Sequence, residues 1–267
     1  MEIKNIGSLH VIDSDGYILN PCIHPVAQPE YTGVVDWILA HCCSLLGHSV
    51  HSIYLRGSVA KGQAIPFISD VDTLLITRTA VTEKETHQLL AISESVNKIF
   101  PFVTKVEIMA ESLEQTGKTW LKFLMKTQCV CIYGTDLVPN IEPFKVGPEA
   151  YIHSPHIVKQ ITELQQELEA INEPEEIKGA CVWIMKAIVR AGFELVMERD
   201  GSYTRDLYPN YERFSIYFPE REAEMRRILS LAIEPTANKE IINEVLNATK
   251  PFMMAQTKNI HSPLFRV

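Results

Sequence analysis

From Glu30 to Leu46 the apolar residues Val34, Val35, Ile38, Leu39, Cys42, Leu45 and Leu46 recur at three- and four-residue spacing, and Gly47 follows as a stop. That period predicts an amphipathic helix with one buried face. The next apolar runs are short and rich in β-branched residues. SIYLRG at 52–57 predicts a strand ending in glycine, and VDTLLIT at 71–77 predicts a buried strand. Leu89, Leu90, Ile92, Val96 and Ile99 return to the helical period over about 82–99, before Pro101 forbids continuation. TKVEIM at 104–109 then alternates as a strand, with Val106 and Ile108 on one face and Lys105, Glu107 and Met109 on the other. A short helix near 118–128 and a strand at 130–134 complete the series. Upstream, LHVI and YILN flank Asp13-Ser14-Asp15-Gly16, which predicts a β-hairpin.

Beyond Pro139, Pro143, Gly147 and Pro148 the pattern is helical with almost no strand signal. Asn172, Pro174 and Glu175 read as the start of a long helix and Gly201 as its end, with Ile177, Cys181, Ile184, Ile188, Ala191 and Leu195 as its apolar stripe. Two further helices are expected at 219–233 and 237–249, and Met253-Met254 reads as core. The expected class is α+β: a mixed β-sheet domain with packed helices over 1–143, hairpin included, followed by an all-α helical bundle over 144–267.

Composition adds bounds to this picture. In 267 residues, 46% are hydrophobic and 22% charged, enough for a folded core and unlike a disordered chain. No run reaches the roughly 20 apolar residues of a membrane span, and the first residues lack the basic-then-apolar pattern of a secretory leader. The expected location is therefore cytoplasmic, which suits six cysteines without C-x-x-C spacing as reduced thiols. A net charge of −8 disfavours nucleic acid as a partner and favours a small or cationic one. There is no H-E-x-x-H, no P-loop, no G-x-G-x-x-G and no G-x-S-x-G, so zinc hydrolase, Walker, Rossmann and serine-hydrolase chemistry are not expected.

The chemistry lies in LRGSVAKGQAIPFISDVDTLLIT. Asp70 and Asp72, two apart on a strand, point to one side, and two adjacent carboxylates call for a cation between them. Hard ions such as Mg²⁺ take carboxylate oxygens and leave room for phosphates. Gly57 lets a phosphate approach the backbone, Ser58 offers a hydroxyl, Lys61 offers charge one turn on, and Glu107 supplies a third carboxylate from a neighbouring strand.

Gly57-Ser58, eleven residues, Asp70-Val71-Asp72 and a later strand carboxylate at Glu107 resemble the nucleotidyltransferase superfamily typified by DNA polymerase beta. The likeness is to its small bacterial branch, which includes the aminoglycoside nucleotidyltransferases. The resemblance implies two Mg²⁺ ions on Asp70, Asp72 and Glu107, with Glu107 also able to act as base. It implies in-line transfer of a nucleoside monophosphate from ATP or another NTP, with Gly57, Ser58 and Lys61 on the nucleotide. The acceptor would be a hydroxyl on a molecule bound between the two domains, such as one like an aminoglycoside, and the enzyme would be a monomer or homodimer. In GSYTRDLYPNYERFSIYFPE at 201–220, likeness to streptomycin-modifying relatives puts Arg205 near the triphosphate and Asp206 near the acceptor. The Ser58-to-Asp70 interval is one residue longer than in the aminoglycoside enzymes, so the Lys61–Ser69 loop has no position-by-position counterpart. The resemblance is equally compatible with a toxin–antitoxin or regulatory enzyme acting on a protein or tRNA, or with a nucleotide-binding interaction module.

Overall fold

The structure, a computed structural model, describes residues 3–22 and 28–258. The chain divides into two compact units. One comprises residues 19–144, and the other residues 1–18 together with 145–267.

The first unit begins with α1 (Pro29–Leu46), which buries Tyr31, Val34, Val35, Ile38, Cys42 and Leu46 on one face. Strand β1 (Val50–Arg56) leads into the single turn α2 (Gly57–Ala60), and β2 (Val71–Thr77) follows a loop. Helix α3 (Glu83–Ile99) starts on a capping box in which Thr82 Oγ1 accepts the Glu85 N–H and the Glu85 carboxylate accepts the Thr82 N–H. Strand β3 (Val106–Ser112), helix α4 (Thr119–Gln128) and strand β4 (Cys129–Gly134) complete the unit.

The sheet runs β3-β2-β1-β4. Strand β1 is antiparallel to both β2 and β4, whereas β2 and β3 are parallel because α3 carries the chain back between them. The sheet is therefore mixed, as the element order implied. Alternation along the central strands feeds both faces. Ile53, Leu55, Val71 and Leu75 join the core under α1 and α3, while Tyr54, Leu74 and Ile76 pack with Leu121 and Met125 of α4. The Tyr54 hydroxyl is buried and accepts the Leu137 N–H at 2.7 Å.

The second unit is helical: α5 (Ile157–Ala170), α6 (Pro174–Glu194), α7 (Met197–Asp200), α8 (Leu207–Tyr217), α9 (Glu222–Ile233) and α10 (Lys239–Thr257). Its core is built on the α6 stripe, with Ile177, Cys181, Ile184, Ile188 and Ala191 against Phe214, Met225, Ile228 and Leu246. Among the described residues no helix is long and apolar enough to cross a membrane.

Several expectations change. The residue at the α6 N-cap is Glu173, not Asn172, whose amide turns back to the Ala170 carbonyl. Helix α6 stops at Glu194 rather than at Gly201; Val196 breaks the helical dihedrals, and Gly201, in the left-handed conformation, ends α7 instead. Met253 is buried core, but Met254 is 58% exposed.

The last concerns the N-terminal residues. They form a turn with two isolated bridges, Ile12 to Ile18 and Tyr17 to Lys145, and they pack with the helical unit rather than with the sheet. The reason is a set of long-range bonds. The Tyr203 carbonyl accepts the His10 N–H at 2.8 Å, Thr204 Oγ1 donates to the Ser8 carbonyl at 2.7 Å, and Asp206 Oδ2 accepts the Ser8 N–H at 3.0 Å. A Cβ at Gly7 would collide with Asp206, so only glycine lets the segment lie so close.

Candidate functional site

Strand register builds the first cluster. Arg56 on β1 lies opposite Asp72 on β2, and Asp72 lies beside Glu107 on β3. The three side chains thus stand in a row across neighbouring strands. One Arg56 nitrogen, Nη2, donates to Glu107 Oε1 at 2.7 Å and sits 3.2 Å from Asp72 Oδ1. Asp70 immediately precedes β2, two residues from Asp72, and its charge acts on the Asp72 carboxyl.

Asp72 is the more deeply buried carboxylate of the row. Burial, opposed by Arg56 and reinforced by Asp70 and Glu107, pushes its carboxyl up to about 6. By formal charge, one guanidinium stands among three carboxylates. Among the described residues no group of three His, Cys, Asp or Glu side chains is gathered as a metal cage, and Arg56 is the cation lying between Asp72 and Glu107. The donor set is nonetheless all carboxylate oxygen with surplus negative charge, which suits a hard divalent cation.

Gly57 follows Arg56 with φ +75°, in the left-handed region, and a Cβ there would lie 2.5 Å from Asp72 Oδ2. Both facts restrict the position to glycine. Ser58 follows in α2 and Lys61 caps it; the Lys61 charge is felt at the Cys22 thiol, where it opposes the stronger effect of burial. Since α2 is one turn long, the expected helix-end contribution to anion binding is small.

Arg205 belongs to the other unit, where it lines a small cavity of about 10 Å³ with Arg190, His153, Glu194, Tyr203 and Thr204. Glu194, 5% exposed, accepts the N–H groups of Ile152 and His153 at 3.0 Å and of Ser154 at 2.6 Å. Burial raises its pKa against the pull of those N–H groups. His153 Nε2 is buried without a hydrogen-bond partner, and burial, Arg205 and Arg190 hold the imidazole well below its ordinary pKa. Asp206, by contrast, spends Oδ2 on Ser8.

The structure thus brings Gly57, Asp72 and Glu107 together, with Asp70 close enough to be felt, and places Arg205 separately in the helical unit. Sequence reasoning missed Arg56, Arg190 and Glu194. For Arg56 the signal is pairing register, which one sequence does not display. Glu194 was visible as a carboxylate within the apolar stripe of a long helix.

Residues 35–116, which span most of these sheet residues, match the family model described as a nucleotidyltransferase domain. No curated protein matches the chain in sequence. Among solved structures, the fold is similar to spectinomycin adenyltransferase AAD(9) from Enterococcus faecialis, determined with ATP and spectinomycin. That match has a TM-score of 0.51 at 14% identity over 84% of this chain and 98% of that one. At this identity the likeness concerns the fold alone. Residues 35–116 of this chain therefore carry a nucleotidyltransferase domain.

Proposed function

We propose that the protein transfers AMP from ATP to a hydroxyl of a small acceptor. The observation that supports this most is Gly57: its left-handed backbone presses against Asp72 at the head of the Arg56–Asp72–Glu107 row, inside the matched domain. A bare backbone beside clustered carboxylates is what a metal-bound triphosphate requires.

In this reading Asp70, Asp72 and Glu107 hold two Mg²⁺ ions, and Gly57, Ser58 and Lys61 contact the phosphates. When bound, Mg²⁺ supplies charge neutralisation of the triphosphate and a lower pKa for the acceptor hydroxyl. Arg56 keeps Asp72 and Glu107 in their places before the metal arrives. The acceptor oxygen bonds to the α-phosphorus as the bond to the bridging oxygen breaks. Pyrophosphate leaves with the electron pair, and Glu107 takes the hydroxyl proton. By the resemblance, Arg205 is assigned to nucleotide phosphate. The spectinomycin in the similar structure makes a hydroxyl-rich small molecule the first acceptor class to try.

The test is transfer of label from α-³²P-ATP with Mg²⁺ across a panel of aminoglycoside, aminocyclitol and other hydroxyl acceptors. Label should appear on an acceptor with the wild-type protein and fall by several orders of magnitude in an Asp70→Asn, Asp72→Asn double variant. Transfer that persists in the double variant refutes the assignment of these residues. Label found only on protein or tRNA moves the acceptor to the regulatory class.

A further inference from the structure

The loop that joins α2 to β2 carries an apolar tip in solvent. Residues 63–68 are Gln, Ala, Ile, Pro, Phe and Ile, without a charge among them. Phe67 is 71% exposed, Ile68 69% and Ile65 38%. Phe67 is also the one non-glycine residue among the described residues with positive φ, at +66°. A left-handed backbone and a solvated aromatic ring are both unfavourable, and the fold maintains them together.

The loop is built rather than loose. The Gln28 side chain clamps Ala64 from both sides, its amide donating to the Ala64 carbonyl and its oxygen accepting the Ala64 N–H, each at 2.8 Å. Ser69 Oγ accepts the Ile65 N–H at 2.9 Å, and the Ile65 carbonyl accepts the Ser69 N–H at 2.8 Å. The Phe102 carbonyl accepts the Phe67 N–H at 2.7 Å. These bonds hold the main chain while leaving the three apolar side chains outward.

Position says what they face. Ser69 and Asp70 follow the tip directly, and the loop is bonded to residues 102–105, the segment that enters β3 and Glu107. Gly57 and Ser58 lie at the end of β1, on the far side of β2. The Phe67–Ile68 end of the loop therefore flanks the Glu107 side of the carboxylate row, whereas its Gln63 end is bonded back to the Ser58 carbonyl at 2.9 Å.

We propose that Phe67 and Ile68 form a rigid platform for an apolar, aromatic or alicyclic face of the acceptor, and so select acceptors whose reactive hydroxyl adjoins such a face. This rests on the nucleotidyl-transfer reading and on Glu107 facing the acceptor. A nucleobase or a protein partner on the tip is the alternative occupant.

The experiment needs no knowledge of the natural acceptor. The full-length protein, ATP and Mg²⁺ are incubated with glycerol or with benzyl alcohol, and AMP esters are separated from free AMP. In each case the alcohol oxygen bonds to the α-phosphorus, pyrophosphate departs and the alcohol proton is released; with water the same step gives AMP. Wild type should prefer benzyl alcohol to glycerol. Phe67→Ser and Ile68→Ser should each lower that preference by about tenfold, the range in which an apolar subsite discriminates, with KM for ATP within twofold. Phe67→Leu should restore most of it, and Ile233→Ser, an exposed apolar position in the helical unit, should leave it unchanged. Equal selectivity in wild type and Phe67→Ser overturns the inference alone, and a raised KM for ATP instead assigns the tip to the base. Absence of AMP and AMP esters from every reaction removes the nucleotidyl-transfer reading and this inference with it.

Discussion

Replacing Gly57 by alanine separates two demands that the structure makes on one atom. The first is conformational: at φ +75° a side chain costs roughly 1–2 kcal/mol. The second is steric, because the new Cβ would stand 2.5 Å from Asp72 Oδ2 where ordinary contact begins at 3.4 Å, so the carboxylate or the backbone must move by about 0.9 Å. A misplacement near 1 Å at a reacting centre lowers rates on the order of 10²-fold. Gly47→Ala is the matched control, since it lies in the same unit with φ +53° and nothing within 4 Å of its Cβ position. Thermal unfolding should show comparable losses of about 2–4 °C per kcal/mol in the two variants, with some excess for Gly57→Ala. AMP release from ATP should fall about a hundredfold in Gly57→Ala only. Equal rates in the two variants would show that the close approach of residue 57 to Asp72 is irrelevant to the chemistry, whatever their stabilities.

Two predictions concern the helical unit. Glu194→Ala leaves the N–H groups of Ile152, His153 and Ser154 without their acceptor, and at about 1–3 kcal/mol per buried donor it should destabilise by about 3 kcal/mol or more. Urea unfolding of this variant within 1 kcal/mol of wild type would mean that water or a shifted side chain replaces the carboxylate. Protonation of His153 opposes folding, because its folded pKa lies well below the ordinary 6.5. Stability linked to this group is therefore complete above about pH 6.5 and declines as pH falls toward the folded value, by up to about 1.4 kcal/mol per unit. Urea midpoints between pH 7.5 and 5.5 should show that slope in wild type and lose most of it in His153→Gln; an identical slope in both assigns the proton to another group.

What one sequence revealed depended on how local each signal was. VDTLLIT is both the expected and the observed extent of β2, because a β-branched run flanked by polar residues needs no tertiary help. Strand β3 was expected from 104 but runs from Val106 to Ser112; its end, Ala110-Glu111-Ser112, pairs with the core strand β2 despite weak intrinsic preference. Helix α8 went unassigned because Pro209 and three tyrosines obscure its period, although proline is tolerated in a first turn. The spacing of Gly57, Asp70 and Asp72 was legible because each residue has a distinct local role. Arg56 was not, since its partner Glu107 lies 51 residues away, and the docking of residues 7–10 onto Tyr203, Thr204 and Asp206 spans nearly 200.

That docking gives the chain an unusual plan. The helical unit is made from both ends of the described chain, and the sheet unit is a cassette inserted within it. The points where the chain leaves and re-enters the helical unit are neighbours, since Tyr17 forms a β-bridge with Lys145 and the Lys145 ammonium lies 4.7 Å from the centre of the Tyr17 ring. Residues 7–10 therefore do not need to close an open loop through the whole inserted segment. Once the cassette has folded, its own two ends set the span, and the entropy of closure falls from that of a long disordered chain to that of a short one. The helical scaffold and the sheet it hosts can thus diverge by exchange at that seam, with the bridge between residues 17 and 145 left in place.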